Sequence, residues 1–439
     1  MMNYIKYILL IFTVSAGLQA QEKMITKSEA VQLALENNYG IKISNNNLKI
    51  AENNKGIMNT GFLPTLTGNA GTTYNLDNTE AEFSNGEITN LTGAESSRYN
   101  ASLNLNYTLF DGLGRHYNYQ QLKEQYNLSE LQARETIENT IFQLFTVYYN
   151  VAKLTENVTL LNQSLHISKD RLARVEYQFD YGQNTKLDIL NAEVDVNNDS
   201  INLLNTKQVL INAKRDLYVV LGKNGFPDFT VDTLVNFSLT LNKEVLKDLV
   251  NQNNVTLQQI ESNINVSDFQ LKSNRSGYLP SIGLTGSYGW NKSNNNAASF
   301  LSTSTNTGFS GGLNLTWSLF DGGRTRTLVQ NAKINFETQQ LFKEQTELEI
   351  DRDFNNAWED YQNKLFVLQT QVKNVQTNTN NFNRTEERYK LGQVTSIEFR
   401  QAQLNLINAI GDKNAAKYDA KLAELQLMQL SGQLLDMEF

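Results

Sequence analysis

The chain is written twice, and that constrains its fold more than any other feature. Leu109-Phe110-Asp111-Gly112 recurs 210 residues later as Leu319-Phe320-Asp321-Gly322. The same shift carries Phe179, Gly182, Gln183 and Thr185 onto Tyr389, Gly392, Gln393 and Thr395, and Gly222 onto Gly432. Leu63-Pro64 recurs as Leu279-Pro280 at a shift of 216. The six-residue difference has one source: the polar segment 75–98 has 24 residues and its counterpart 291–308 has 18. One shared tetrapeptide would mean little. Ordered landmarks at a single shift are the mark of an internal repeat.

Each copy reads as helix, strand hairpin, very long helix, tip and long helix. Residues 28–61 and 243–276 have helical composition and stop near Pro64 and Pro280, where proline clashes with the preceding turn and lacks an amide donor. The expected organisation is a leader at 1–20, a first repeat at 21–222, a linker at 223–241 and a second repeat at 242–439. Strands are expected near 64–75, 99–110, 280–291 and 308–320. The long helices are expected near 112–181, 185–221, 323–391 and 395–431.

The hairpins alternate. Tyr99, Ala101, Leu103, Leu105, Tyr107 and Leu109 interleave with Asn100, Ser102, Asn104, Asn106 and Thr108. Phe309, Gly311, Leu313, Leu315, Trp317 and Leu319 interleave with Ser310, Gly312, Asn314, Thr316 and Ser318. The run from Ser281 to Trp290 does the same, and the run from Leu66 to Tyr74 does so more weakly. Successive side chains point to opposite faces, so each strand has one apolar and one uncharged polar face. The length suits the roughly 9–11 residues of a tilted bilayer-crossing strand. Tyr74, Tyr99, Tyr107, Tyr288, Trp290, Phe309 and Trp317 fit a lipid-facing aromatic belt. A soluble sheet with one face on a core would alternate too. Four strands cannot close around a lumen, and an open edge is not tolerated in lipid. Three chains would supply twelve strands, a size consistent with an open pore.

Between Gly114 and Tyr181 lies neither proline nor glycine, on the order of 100 Å of helix at 1.5 Å per residue. Apolar residues step by three and four through Ile137, Ile141, Leu144, Tyr148 and Val151, and in the second copy through Phe354, Trp358, Tyr361, Leu365 and Leu368. This is a coiled-coil seam. The helices reverse at Tyr181-Gly182-Gln183-Asn184-Thr185 and Leu391-Gly392-Gln393-Val394-Thr395. Each glycine suits a left-handed position after a helix, and each threonine can cap the next.

Composition narrows the function. A net charge of −8 argues against a nucleic-acid partner. With no cysteine, disulfides, thiolate metal sites and a lipid-attachment cysteine are excluded together. His116 and His166 lie in polar helical runs and read as surface residues. No phosphate-cradling loop, nucleophile elbow or metalloprotease motif is present, so no enzyme, cofactor or metal is expected. Lys6 followed by apolar Ile8 to Val14, with Ala16 or Ala20 as the cleavage point, reads as a secretory signal peptide.

The duplicated Leu-Pro, Leu-Phe-Asp-Gly and Gly-Gln-x-Thr landmarks resemble the TolC-like outer-membrane efflux family from about Thr26 to Gly432. The resemblance implies a mixed membrane fold: a trimeric β-barrel of four strands per protomer continued by an antiparallel helical coiled-coil periplasmic tunnel. It implies helix–strand junctions at Pro64, Asp111, Gly112, Pro280, Asp321 and Gly322, and an equatorial region at 223–241. The tips, residues 181–185 and 391–395, would dock a periplasmic adaptor that links the homotrimer to an inner-membrane pump. Six residues beyond each tip glycine stand Asp188 and Glu398, where the family places an acidic aperture ring; Gln401 and Asn191 stand where a second acid would be. The competing readings are a trimeric coiled-coil adhesin, which leaves the alternating hairpins unexplained, and a stand-alone diffusion porin, which leaves the long helices unexplained.

Overall fold

Each repeat opens with a helix that the chain breaks at an asparagine. In the computed structural model, which describes residues 23–225, 228–237 and 241–437, β1 (Lys23–Ile25) leads into α1 (Lys27–Asn37) and α2 (Tyr39–Asn54). After a helical turn come β2 (Thr65–Glu82), β3 (Ile88–Phe110), α3 (Gly114–Asp180) and α4 (Lys186–Val220). The short strand β4 (Phe229–Val231) precedes the second copy: α5 (Lys243–Asn253), α6 (Val255–Arg275), β5 (Ser281–Asn294), β6 (Thr303–Thr316), α7 (Arg324–Lys390) and α8 (Ser396–Leu430). The expected signal peptide lies outside the described residues.

The break in each first helix has one physical cause, repeated. Asn38 Oδ1 accepts from the Gly40 and Ile41 amides at 2.8 and 3.3 Å and so caps α2. Its Nδ2 donates to the Val220 carbonyl at the end of α4, 2.9 Å away. Asn254 repeats this, accepting from Thr256 and Leu257 and donating to Leu430 O at 2.9 Å. The glycines that follow, Gly222 (φ 63°) and Gly432 (φ 68°), press against the same corner. A Cβ at Gly222 would lie 2.4 Å from the Asn37 carbonyl oxygen, and at Gly432 2.5 Å from that of Asn253. No side chain fits there.

The residues divide into two units. The first takes the described residues up to Asn46, Leu131–Gln258 and the described residues from Gln345 onward. Its core gathers where the coiled-coil seam is richest in aromatics: Phe145, Tyr148, Tyr149, Phe229, Phe354 and Tyr418 are all fully buried. Each such side chain contributes roughly 1.5–3 kcal/mol of transfer free energy. Tyr148 also joins elements. Its hydroxyl donates to Ile25 O at 2.8 Å and accepts from the Asp232 amide at 2.9 Å, beside the parallel pairing of β1 with β4. Burial pushes this phenol up to about 12, so it stays neutral.

The second unit, Asn47–Glu130 with Gln259–Glu344, carries one antiparallel sheet of order β2-β3-β5-β6. The strands of the first hairpin run further than expected. The polar segment from Asn75 is strand as far as Glu82 and again from Ile88, because its two arms pair with each other from Asn75↔Ser96 to Glu82↔Ile88. The ribbon turns at Phe83–Glu87 around Gly86 (φ 85°); the Asn85-Gly86 dipeptide is the hairpin signal in the sequence. The last strand instead stops early, at Thr316. Its partner β5 begins at Ser281, opposite Thr316, so residues 317–320 have no neighbour to pair with.

Candidate functional site

The sheet presents two chemically opposed faces. Register places Leu66, Leu105, Gly286 and Gly311 in one row across all four strands, with Gly68, Leu103, Tyr288 and Phe309 in the next. These, with Leu284, Leu313 and Leu315, form an apolar face in which Phe309 is 77% exposed and Leu313 68%. An apolar hollow of about 580 Å³ opens on it among Leu66, Leu103, Leu284, Tyr288, Phe309 and Leu313. The opposite face carries Thr67, Asn104, Ser287 and Ser310 in one row and Asn69, Ser102, Gly289 and Gly308 in the next. Ser287 there donates to Asn104 Oδ1 at 2.8 Å. A sheet in water does not leave its apolar side uncovered. Among the described residues, both edge strands, β2 and β6, lack a second neighbour.

The aromatic residues singled out in the sequence fall at several levels of the apolar face. Tyr99 and Trp290 stand toward the ends remote from the helices, and Tyr74 lies further out, opposite Ser97. Tyr107 faces Leu284 near the other end. Trp317 lies just past β6 and donates its indole N–H to Tyr278 O at 3.2 Å. Tyr288 and Phe309 face each other at mid-height, deep in the apolar band.

The Leu-Phe-Asp-Gly landmarks launch the long helices. Asp111 Oδ2 accepts from the Arg115 amide at 2.9 Å, and Asp321 Oδ2 from the Thr325 amide at 2.8 Å and hydroxyl at 2.6 Å. Those bonds from Thr325 hold the Asp321 carboxyl below the usual range. Gly112 and Gly322 take φ 68° and 71°. Leu113 also adopts a positive φ of 68°, where the second copy has Gly323. Pro64 and Pro280 directly precede β2 and β5.

The tips are exposed reversals. Gly182 (φ 74°) and Gly392 (φ 69°) close α3 and α7, with Gln183 N donating to Gln178 O and Gln393 N to Arg388 O, both at 2.8 Å. Thr185 and Thr395 then cap α4 and α8. Tyr181, Leu187, Leu391 and Ile397 stand out into solvent around the turns. The two acids have a local task that the sequence reading did not anticipate. Asp188 Oδ2 accepts from the Thr185 hydroxyl at 2.6 Å and amide at 2.9 Å. Glu398 Oε2 accepts from the Thr395 amide at 2.8 Å and hydroxyl at 2.9 Å. Both are capping boxes. The Thr185 hydroxyl and amide hold the Asp188 carboxyl below its ordinary range, and the Thr395 amide and hydroxyl do the same for Glu398. Each carboxylate stays charged with its second oxygen outside the cap.

Behind the tips lies a buried polar layer that no motif announced. Arg400 on α8 forks onto Asp199 on α4, with Nη1 2.8 Å from Oδ2 and Nη2 2.6 Å from Oδ1. Ser168 on α3 donates to Asp199 at 2.6 Å, and Gln403 donates to the Ser164 carbonyl at 3.0 Å. Arg171 pairs with Asp195. Burial works to raise the Asp199 carboxyl, yet the Arg400 guanidinium and the Ser168 hydroxyl hold it below its ordinary value. The heptad pattern could have shown this layer as charged residues interrupting an apolar seam. It gave no sign that they face one another.

Among the described residues no helix is long and apolar enough to cross a membrane. A family model described as "Outer membrane efflux protein" matches residues 30–223 and again 246–433, the two copies of the repeat. The outer membrane efflux protein BepC of Brucella suis is 21% identical over 97% of this chain and 89% of its own length. The solved outer membrane channel CmeC of Campylobacter jejuni superposes with a TM-score of 0.78 at 17% identity, covering 93% of this chain and 86% of that one. A solved membrane protein of Pseudomonas aeruginosa does so with a TM-score of 0.77 at 18% identity, covering 95% and 93%.

Proposed function

The chain belongs to the outer membrane efflux protein family, and from that premise we propose that it is the passive outer-membrane duct of a tripartite export system. The observation that carries this reading is the sheet: apolar on one face, uncharged polar on the other, and, among the described residues, unpaired at both edges. In lipid every strand edge must find a partner, so the sheet is complete only as a third of a closed barrel formed with two further copies of the chain. The apolar face then meets lipid and the polar face lines a wet lumen. The chain supplies no catalytic step. Transport follows the gradient that an inner-membrane pump maintains.

The exposed tips at 181–185 and 391–395 are the docking surface for a periplasmic adaptor, and their protruding Tyr181, Leu187, Leu391 and Ile397 support this. The free carboxylate oxygens of Asp188 and Glu398 give the neighbouring aperture its negative charge, favouring cations. The residues of the apolar face, with Tyr99 and Trp290 toward one end and Tyr107 and Trp317 toward the other, anchor the barrel in its bilayer. The residues at 223–241 link the two repeats.

The test is to extract the full chain in mild detergent, measure the oligomer's mass, and record conductance from the same sample in planar bilayers. A trimer forming discrete pores is expected. A monomer, or a trimer that does not conduct, overturns the reading and favours a coiled-coil fibre. For the aperture, Asp188→Asn with Glu398→Gln keeps the caps largely intact while removing charge. Block by a trivalent cation added at the tip side should weaken, and unchanged block would remove these acids from the aperture.

A further inference from the structure

From the helix-proximal end out to Asn75, the inward face of the sheet is uncharged with one exception. From Thr65 to Asn75 on β2, from Ser281 to Ser293 on β5 and from Ser304 to Thr316 on β6, every residue of the polar face is Thr, Ser, Asn or Gly. On β3 the same face runs from Thr108 outward through Asn106, Asn104, Ser102 and Asn100 and then reaches Arg98. Register puts Arg98 in one row with Thr73, Ser293 and Ser304, near the ends of the strands remote from the helices. No register shift separates it from Asn106, so its side chain belongs to the polar face. It is exposed, and among the described residues no ion pair engages it. The next charge on that face is Asp77, opposite Ala94, about 13 Å further out at 3.3 Å per residue. Beyond it the ribbon carries Glu80, Glu82 and Glu87, all exposed.

We infer that Arg98 is a charge-selecting residue of the outer exit: three copies, one per protomer, form a cationic ring where the uncharged lumen meets an acidic vestibule. This rests on the duct reading above, which turns the polar face inward. Charge of one sign on a low-dielectric wall focuses potential into the passage and concentrates ions of the opposite sign. An uncharged lumen adds nothing to oppose it. The ring therefore raises the cost of passage for cations leaving the lumen and offers polyanions a place to pause. Screening reaches about 10 Å at 0.1 M salt, so the effect grows as salt is lowered.

The experiment uses the full-length trimer in planar bilayers under a KCl gradient at low ionic strength. Arg98→Gln is expected to raise the potassium-to-chloride permeability ratio by about twofold or more, a change of the size a lost ring of surface charge produces. Arg98→Lys, which keeps the charge, should behave as the unsubstituted chain does. Asp77→Asn should move the ratio the other way. Inorganic pyrophosphate added on the outer side should block the unsubstituted pore and lose that block in Arg98→Gln. Pores of normal conductance whose ion preference and pyrophosphate block are the same in Arg98→Gln would overturn the inference while leaving the duct intact. Absence of pores from the unsubstituted chain would overturn the duct and the ring with it.

Discussion

Removing Arg400 isolates what the buried layer behind the tips contributes. In Arg400→Met the side-chain volume is roughly kept, but Asp199 loses its two guanidinium bonds of 2.8 and 2.6 Å. Asp199 keeps Ser168 at 2.6 Å and the longer Ser164 contact at 3.4 Å, and Arg171 still holds Asp195. Breaking a buried pair costs about 3–5 kcal/mol because a charge is left uncompensated. The two remaining hydroxyls put this case at the low end, about 3 kcal/mol. At about 1.4 kcal/mol per decade that is roughly a hundredfold increase in local opening. The readout is amide hydrogen exchange in α3, α4 and α8 within a turn of Ser168, Asp199 and Arg400, measured on the intact trimer. Local exchange avoids the irreversibility that complicates melting a membrane oligomer. The double variant Arg400→Met with Asp199→Leu removes both charges, and most of the protection should return, since apolar replacement of a buried pair is often near neutral. Exchange that changes less than about threefold in Arg400→Met would refute the account. So would a double variant as mobile as the single one.

Further outcomes follow from individual contacts. Thr185→Ala and Thr395→Ala each remove a capping hydroxyl and should cost about 1 kcal/mol, read as faster exchange in the first turns of α4 and α8. Gly222→Ala and Gly432→Ala place a Cβ within 2.4 and 2.5 Å of a carbonyl oxygen at a positive φ. Each should cost about 2–4 kcal/mol in denaturant unfolding of the first unit's core. Leu113→Gly relieves a left-handed leucine and should be neutral or stabilising by up to about 1 kcal/mol in the same assay. The carboxyls of Asp188, Asp199 and Glu398 are all held below their ordinary values. Groups with depressed values contribute stability above their unfolded pKa and lose it as pH falls through the folded one. Exchange protection at the tips should therefore be level through neutral pH and fall only below about pH 4.

Much of the architecture was readable before any coordinates. The repeat, the alternation of Tyr99 to Leu109 and Phe309 to Leu319, the unbroken helical stretch after Gly114 and the tip glycines are local statements. Each is enforced by backbone sterics and side-chain periodicity within a few residues, and the elements followed them except that β6 stops at Thr316, where its partner strand begins. The extent of the first hairpin was not legible. Asn75 to Arg98 is too polar to alternate visibly, and its strands exist because its two arms pair with each other. The asparagine breaks at Asn38 and Asn254 were also hidden, since each depends on a carbonyl 182 or 176 residues away.

The functional residues divide along the same line. Periodicity and local sterics alone told which strand faces are apolar and polar, where the long helices begin, turn and end, and that two copies of one unit must be arranged alike. These follow from periodicity and from what proline and glycine can adopt. It took the folded chain to bring Arg400 onto Asp199 across 201 residues and to set Arg98 in one row with Thr73, Ser293 and Ser304. The reason is physical. A buried charge is tolerated only beside its partner, and a strand residue gains its face and level from the register of its neighbours, and both depend on residues far apart in the chain.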